Sequence, residues 1–381
     1  MTIESKLNTL QVPNELIPSD PRFGSGPSLI PKHHLEMLTK ESPHLVGTSH
    51  RKSAVIDLVK EIHMGFRKYF NIPKDYEIIM GNGGATFLWD MIGLGLVEKQ
   101  STHFTCGEFS QKWYAAHKKI PWLKALEIAA PYGKGLQAEY KMDSDVICTT
   151  LNETSTGVQN TYAPKKESNF KNSLLLVDAT SGAGQIPWDI ATCDLFYFSP
   201  QKVFAGEGGL FVGFLSPQAK ERALKIHKDT TRYIPEIMNW QQCLDYSSKF
   251  QTYNTPSITN LILIREQLKE MNNLTQEKIV QEAKAKANFV YNWATSSNGL
   301  FKPYIEETEY RSTANATIDV MDSVPTTELV EWLKSKKYVY DIDGYRKLGR
   351  NQLRISLFHQ VNLDNLKKLT GLLSFLVKSL N

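Results

Sequence analysis

Cysteine is scarce in this sequence, and the few cysteines present lie far apart. They are Cys106, Cys148, Cys193 and Cys243, and no two of them form a Cys-x-x-Cys pair. A disulfide framework needs cysteines that can be brought together in pairs, usually in a short secreted chain. The spacing therefore predicts reduced, mostly buried thiols.

Long apolar runs and strong charge asymmetry are also missing. No run approaches the length of a membrane helix, and the first twenty residues lack the basic start and apolar stretch of a signal peptide. The 44 basic and 40 acidic side chains leave a net charge of +4, without a Lys/Arg block interleaved with aromatics. These absences predict a cytoplasmic globular protein with no membrane or nucleic-acid partner.

Signatures of metal and serine-hydrolase chemistry are absent as well. His33 and His34 are adjacent, but no second set of His, Cys, Asp or Glu stands at a metal-binding spacing from them. No Gly-x-Ser-x-Gly nucleophile elbow occurs. The sequence thus predicts no metal site and leaves the chemistry to other residues.

Short apolar runs recur from about residue 76, and helix-like segments follow the first two. The runs are YEIIM, STHFTC, ALEIAA, DVICTT, SLLLVDAT, DLFYFS and GLFVGFL. Such alternation predicts an α/β fold whose largely parallel sheet is covered by helices, with functional residues on the loops that leave the strand C-termini. A helical period over 257–294 and mixed patterns beyond it predict a small C-terminal α+β domain with its own sheet.

Lys202 stands at the end of one of these runs, just before the glycine-rich turn 206–209. A charged amine between two core strands is costly unless it is exposed, paired or chemically used. A lysine at a strand end can form a Schiff base when its surroundings stabilise the neutral amine. Because most lysines are solvated surface groups, the interpretation of Lys202 depends on its neighbours.

Asp178 is the first such neighbour, since it ends the most apolar run, in LLLVDATSGAG. In a parallel sheet the ends of two such strands open on the same edge, so Asp178 and Lys202 can face one ligand. Pyridoxal phosphate would satisfy both residues, because its ring nitrogen is protonated against a carboxylate and its aldehyde condenses with an amine. Taken alone, Asp178 could equally be a helix cap or a turn residue.

A phosphate site is the second requirement of that cofactor. The segment MGNGGATFLWD leads from a strand through glycines into a helix, where backbone N–H groups can hold an anion. It is neither a Walker motif nor a dinucleotide fingerprint. Phe109 and Thr154, on later loops, are candidates for stacking on the ring and for bonding its phenolic oxygen.

Arginines supply candidates for binding a substrate carboxylate, which favours bidentate recognition. They are Arg51 in GTSHRKS and the cluster Arg346, Arg350 and Arg354 in GYRKLGRNQLRIS. The cluster carries more positive charge than one carboxylate needs, which suggests a second anionic group such as a phosphate. A solvated basic loop is the alternative interpretation.

Taken together, these motifs resemble the phosphoserine aminotransferase family, in the branch of actinobacteria and their relatives. The resemblance extends from DPRFGSGPSLIP to LRISLFH through GTSHRK, GNGGAT, CGEFS, NETSTG, VDATSGAG, FSPQKVFAGEGG and YNTPS, in that order. It implies a pyridoxal-phosphate-dependent transferase of fold type I, with a mostly parallel seven-stranded sheet and a small C-terminal α+β domain. The implied division is an N-terminal segment 1–20 packed on the small domain, a large cofactor domain 21–270 and a small domain 271–381.

The same resemblance implies a role for each matching position. Lys202 would be the catalytic Schiff-base lysine and Asp178 the partner of the ring nitrogen. The remaining cofactor contacts would be Gly84, Ala85, Thr86, Phe109, Thr154 and Gln201, with Asn254 and Thr255 reaching the phosphate from the neighbouring subunit of a homodimer. The substrate contacts would be His50, Arg51, Arg346 and Arg354, of which Arg354 takes the α-carboxylate.

The implied reaction is reversible transamination between glutamate and 3-phosphohydroxypyruvate in serine biosynthesis, giving phosphoserine and 2-oxoglutarate. Whether the phosphorylated threonine substrate of pyridoxine biosynthesis is also used stays open. Tyr345 departs from the better-known branch, which has His before the arginine that matches Arg346. The alternatives are a serine- or alanine–glyoxylate-type aminotransferase, a desulfurase, which would need a cysteine on a mobile loop, and a non-catalytic binding protein on the same fold.

Overall fold

The fold was analysed in a computed structural model, which describes residues 3–381. Within this range the α-helices are α1 (Ile3–Thr9), α2 (Lys32–Leu45), α3 (Ser53–Tyr69), α4 (Gly84–Gly95), α5 (Glu108–Lys118), α6 (Pro217–His227), α7 (Trp240–Ser247), α8 (Ile258–Leu274), α9 (Gln276–Thr295), α10 (Thr326–Ser335) and α11 (Leu363–Leu380). The strands are β1 (Glu77–Asn82), β2 (Gln100–Thr105), β3 (Lys124–Ala129), β4 (Val146–Thr150), β5 (Asn152–Glu153), β6 (Val158–Gln159), β7 (Leu174–Asp178), β8 (Leu195–Phe198), β9 (Leu210–Leu215), β10 (Phe301–Pro303), β11 (Asn315–Val320) and β12 (Gln352–Ser356). None of the helices in the described range is long and apolar enough to cross a membrane.

Seven strands form the main sheet, in the order β1-β9-β8-β7-β4-β2-β3. Only β9 runs against the others, pairing antiparallel with β1 and β8. The pairs β2–β3, β2–β4, β4–β7 and β7–β8 are all parallel. The prediction of a mostly parallel seven-stranded sheet is therefore confirmed.

Helices cover both faces of this sheet because its strands are apolar on both sides. In β1, Ile78 and Met80 join the core beneath α3 and α8, whereas Ile79 joins the core beneath α4 and α7. Each fully buried side chain of this size contributes about 1.5–3 kcal/mol to folding. The two cores hold the sheet rigidly, so the residues at its strand ends have fixed positions.

A third core belongs to the C-terminal part of the chain. There β10, β11 and β12 form an antiparallel sheet that packs with α9, α10 and α11. Leu7 of α1 and Phe23 are buried in the same core. The expected small sheet in this region is confirmed.

The helix predicted over 257–294 is interrupted in the structure. The last turn of α8 ends at Leu274, and Thr275 has a φ of 72° before α9 begins. Threonine carries no strong helix-stop signal, so the periodicity alone missed the break. The strand β10 was also missed, because three residues ending in Pro303 are too few to show a period of two.

Candidate active site

A cavity of about 200 Å³ lies at the C-terminal edge of the main sheet. The ends of β4, β7 and β8 reach it, and the N-terminus of α4 closes one side. Three buried polar atoms on its walls, Thr150 Oγ1, Asn152 Oδ1 and Gln201 Oε1, have no hydrogen-bond partner within the described chain. Because buried polar groups are normally paired, this lining fits a polar ligand.

Lys202 lines the cavity on the turn after β8 and is only 8% exposed. Its Nζ donates to Ser25 O at 2.7 Å. Burial and, secondarily, the nearby Arg354 lower the pKa of this amine to about 7. The lysine is therefore neutral in about half of the molecules near neutral pH, as a nucleophilic amine requires.

Residues near the N-terminus hold the lysine in place. A Cβ built on Gly26 would lie 1.8 Å from Lys202 Nζ, so only glycine leaves room for the side chain here. Ser28 N donates to Gln201 O at 2.9 Å, and Ser28 Oγ donates to Lys202 O at 2.6 Å. The chain at 25–28 thus fixes both the backbone and the amine of Lys202.

Asp178 ends β7 and lines the same cavity, 5% exposed. Trp89 Nε1 and Tyr197 OH donate to its Oδ2 at 3.1 and 3.2 Å, and Thr180 donates to Oδ1 from its backbone N and its hydroxyl. Burial outweighs these bonds and raises the pKa of the carboxyl group above its usual value. A cationic ring nitrogen placed against Asp178 would offset that desolvation.

The N-terminus of α4 forms one side of the cavity. Gly83 and Gly84 have φ values of 119° and 72°, a conformation that favours glycine. No side chain caps this helix, so the N–H groups of its first turn are available to an anion. Ala85, Thr86 and Gln201 line the cavity beside them.

Phe109 and Thr154 also line the cavity. Thr154 Oγ1 donates to Ser181 Oγ at 2.7 Å. Phe109 belongs to the first turn of α5, and its ring lies 5.9 Å from that of Tyr345. The structure therefore brings the expected residues of the large sheet together around one space.

A second, larger cavity of about 870 Å³ is lined by Arg354, Tyr345, Arg346 and Lys347 together with Gly26. Gly26 abuts Lys202, so this cavity lies beside the lysine. Arg354 Nε is buried without a hydrogen-bond partner among the described residues, and burial lowers the pKa of its guanidinium. An unpaired buried guanidinium is suited to bind an anion.

The other arginine of the cluster, Arg350, points elsewhere. It binds both carboxylate oxygens of Asp319, at 3.1 and 2.6 Å, and stacks over Tyr304. Arg350 is not part of the lining of the large cavity. The positive charge at the cavity therefore comes from Arg346, Lys347 and Arg354.

His50, Arg51, Asn254 and Thr255 form a separate group that lines neither cavity of its own chain. Thr255 Oγ1 and His50 Nδ1 are 3.1 Å apart. Arg51 donates to Tyr253 O at 2.9 Å and lies 4.4 Å from the centre of the Tyr246 ring. Within one chain, the structure does not bring these four residues to Lys202.

The family model for class-V aminotransferases matches residues 23–337 of the chain. The chain belongs to the class-V aminotransferases. It is 41% identical to the phosphoserine aminotransferase of Corynebacterium glutamicum over 96% of both chains, and 39% identical to that of Nocardioides over 98% of this chain and 100% of the relative. The crystal structure of a phosphoserine aminotransferase from Cytophaga hutchinsonii has the same fold, with a TM-score of 0.84 and 24% identity over 93% of this chain and 98% of that one. The resemblance inferred from the motifs is confirmed.

In this class-V aminotransferase, three residues around the site were not predicted from the sequence, namely Glu153, Trp89 and Tyr197. Glu153 is fully buried and accepts hydrogen bonds from the backbone N of Phe109 and Ser110, at 3.2 and 2.9 Å. Ser155 Oγ accepts from Glu108 N at 3.0 Å. Together they cap the first turn of α5, which carries Phe109. Glu153 stands in the NETSTG motif, but α5, the helix that it caps, begins 45 residues earlier in the chain.

The aminotransferase site also contains Trp89 and Tyr197, the two donors to Asp178. One signal in the sequence pointed to Tyr197, because a tyrosine inside an apolar strand needs a partner for its hydroxyl. Trp89 had no such signal, since a tryptophan on an apolar helix is usually a core residue. Both donors fix the direction of the carboxylate.

Proposed function

We propose that this chain is a phosphoserine aminotransferase. It exchanges the amino group of glutamate and the keto group of 3-phosphohydroxypyruvate, giving 2-oxoglutarate and phosphoserine. The observation that carries the proposal is one cavity lined by a partly neutral lysine, a buried carboxylate and an uncapped helix N-terminus, next to an unpaired arginine. The identity of the curated relatives over nearly their whole length gives the substrate.

Pyridoxal phosphate is the cofactor in this proposal, and the residues present fit it. Lys202 would hold its aldehyde and Asp178 its ring nitrogen. The first turn of α4, with Gly84, Ala85 and Thr86, would hold the phosphate together with Gln201, while Phe109 and Thr154 would hold the ring. When bound, the cofactor supplies an electron sink for the pair of electrons left at the substrate α-carbon.

Lys202 acts both as nucleophile and as general base. Its depressed pKa leaves a large neutral fraction near pH 7, so it can attack a carbonyl carbon without first losing a proton to water. Once freed, the same amine would take a proton from the substrate α-carbon and deliver it to a different carbon, as transfer of the amino group requires. Ser25 O accepts a hydrogen bond from Nζ and so directs the amine.

Arg354 and its neighbours select the substrate. Arg354 would bind the α-carboxylate, because it lines the cavity beside Lys202 and its buried Nε has no hydrogen-bond partner among the described residues. Arg346 and Lys347 line the same cavity and would bind the substrate phosphate. Lys347 already binds Glu108, so the phosphate would compete with this carboxylate for it. An unphosphorylated substrate would forgo these phosphate contacts and leave Lys347 bound to Glu108.

The proposed working unit is a homodimer with shared sites. His50, Arg51, Asn254 and Thr255 cluster at positions that do not reach Lys202 of their own chain. In the proposal they complete the site of the partner, as the family resemblance implies. The expected boundaries 1–20, 21–270 and 271–381, and the cytoplasmic location, stay predictions of the sequence.

An assay of purified protein with phosphoserine and 2-oxoglutarate tests the function. We expect turnover with phosphoserine and a kcat/KM at least about 100-fold lower with serine, because serine lacks the phosphate that Arg346 and Lys347 would bind. The Lys202→Ala variant should lose about 100- to 10,000-fold in rate. Equal use of serine would indicate a serine- or alanine–glyoxylate-type enzyme. A colourless protein that borohydride does not change would indicate a non-catalytic binder.

A further inference from the structure

Three histidines converge on one carboxylate at a place remote from both cavities. His33 and His34 stand in the first turn of α2, Glu270 in the last turns of α8, and His359 in the loop after β12. His33 Nε2 and His34 Nε2 lie 3.2 and 3.3 Å from Glu270 Oε2, and His359 Nε2 lies 3.2 Å from Glu270 Oε1. Chain segments hundreds of residues apart thus meet at Glu270.

These separations match a metal coordination shell. Ligands bound tetrahedrally to Zn²⁺ at about 2.0–2.2 Å lie about 3.4 Å from one another. The ligand atoms of His33, His34 and Glu270 all lie within 4.8 Å of each other. A small movement of each side chain away from direct contact would therefore admit an ion.

The chemistry of the group favours a transition metal. Imidazole nitrogens with one carboxylate suit Zn²⁺ better than Mg²⁺ or Ca²⁺, which prefer oxygen ligands. The side chain of His33 is 63% exposed and that of Glu270 is 36% exposed, which gives an ion access from solvent.

The surroundings hold His359 in position. Lys286 is buried and donates to Phe358 O at 2.6 Å and to Val361 O at 3.0 Å, fixing the loop that carries His359. His359 Nδ1 faces the Glu282 carboxylate at 3.8 Å. His359 Nε2 contacts Glu270 Oε1, and metal-binding carboxylates are commonly held by a hydrogen bond of this kind.

We propose that His33, His34 and Glu270 form a structural binding site for one divalent transition-metal ion, with Zn²⁺ the best match, while His359 holds the second oxygen of Glu270. The ion would join α2 to α8. Its binding would show that the sequence prediction of no metal at the His33–His34 pair is wrong. Local spacing could not reveal the site, because Glu270 lies more than 200 residues away in the chain.

Metal binding to the cofactor-loaded, tag-free protein tests the proposal. After dialysis against a chelator and its removal, Zn²⁺ is titrated by calorimetry, and Co²⁺ is added separately to record its visible absorption. We expect one ion per chain and the strong visible bands of tetrahedral cobalt. Mg²⁺ should give no heat of binding.

Matched variants locate the ion. Glu270→Gln keeps the shape of the side chain but removes its charge, and His33→Ala changes an exposed residue with little risk to folding. Each should weaken Zn²⁺ binding at least tenfold, as loss of a ligand requires. His44→Ala, on the exposed side of the same helix, should bind as the unchanged protein does.

Two results would overturn the proposal. One is the absence of stoichiometric Zn²⁺ binding by the unchanged protein. The other is equal binding by the unchanged protein and both site variants, which would place the ion elsewhere. Neither result depends on the aminotransferase assay, so the metal site and the proposed activity can fail separately.

Discussion

The reactivity of Lys202 depends on neighbouring charges as well as on burial. Burial is the larger cause of its depressed pKa, and Arg354 lowers it further, while Asp178 and Glu153 oppose the shift. Protonated lysine beside a buried guanidinium is a like-charge pair, which favours the neutral amine. The arginine that would bind the substrate carboxylate therefore also activates the lysine before substrate arrives.

Replacing Arg354 with Gln should move the titration of Lys202 to higher pH. Arg354 lowers the pKa, so its removal raises it from about 7, although burial still keeps it below the 10.5 of a free lysine. The measurement is the rate at which apoprotein captures pyridoxal phosphate as a function of pH, which follows the neutral fraction of the amine. The midpoint should be near pH 7 in the unchanged protein.

Arg350→Gln is the control for this shift, because it removes an arginine four residues away whose guanidinium is bound to Asp319. Its midpoint should equal that of the unchanged protein. An Arg354→Gln midpoint that does not move, or that moves to lower pH, contradicts the electrostatic argument. A shift in both variants would point to a general effect of net charge.

At the scale of secondary structure, the first turn of α5 places Phe109 at the cavity wall. Its first three N–H groups are bound by Glu153 and Ser155, and a Cβ on Gly107 would lie 2.3 Å from Glu153 Cγ. A carboxylate at a helix N-terminus is favourable both as acceptor and by charge. The cap therefore fixes the backbone that carries the Phe109 ring.

Glu153→Gln should loosen that placement. The amide offers one acceptor oxygen and turns a donor toward the helix, so we expect a loss of about 1–3 kcal/mol in unfolding free energy. We also expect a faster release of pyridoxal phosphate. Denaturant unfolding gives the first quantity, and the cofactor off-rate gives the second.

Ser216→Ala is the matched cap variant, since Ser216 Oγ accepts from Ala219 N at the start of α6. That helix begins away from the cavity. Ser216→Ala should lose about 1 kcal/mol of unfolding free energy but leave the cofactor off-rate unchanged. An equal off-rate in Glu153→Gln and in the unchanged protein would mean that the cap stabilises the fold without positioning Phe109.

Elements with a strong local pattern were predictable from the sequence, and those that depend on distant partners were not. The seven apolar runs became the seven strands of the main sheet. Strands β4, β7, β8 and β9 are buried along their whole length, which explains their strong apolar pattern. Asp178 and Lys202 were found from their positions at strand ends. The cap by Glu153, the donors Trp89 and Tyr197 and the break at Thr275 were missed, since tertiary contacts determine them.

The whole molecule is expected to act as a pair of chains, and this can be tested by mixing two inactive variants. Lys202→Ala removes the lysine of its own site, and Thr255→Ala removes a proposed contact to the partner's site. In a mixed dimer, one site then contains Lys202 of one chain and Thr255 of the other. Coexpression should restore roughly a quarter of the unchanged activity, because half of the dimers are mixed and each has one intact site.

The outcome decides where Thr255 acts. If Thr255 served its own chain, no site in the mixed dimer would contain both residues, and activity would stay at the level of the variants alone. A monomer in sedimentation experiments at assay concentration would likewise contradict the shared site. Coexpression of Lys202→Ala with itself provides the background.

The packing around Lys202 also has a consequence for the order in which the protein matures on the ribosome. Ser28 Oγ and Gln360 Nε2 both donate to Lys202 O, and Ser25 O accepts from its amine. Gln360 follows Lys202 by 158 residues, so it is synthesised long after the lysine. The main sheet can form earlier, since domains generally fold as they emerge. The backbone of Lys202 therefore gains its last partner only after Gln360 has been made, and a nascent chain that stops before Gln360 would carry the sheet without a finished site.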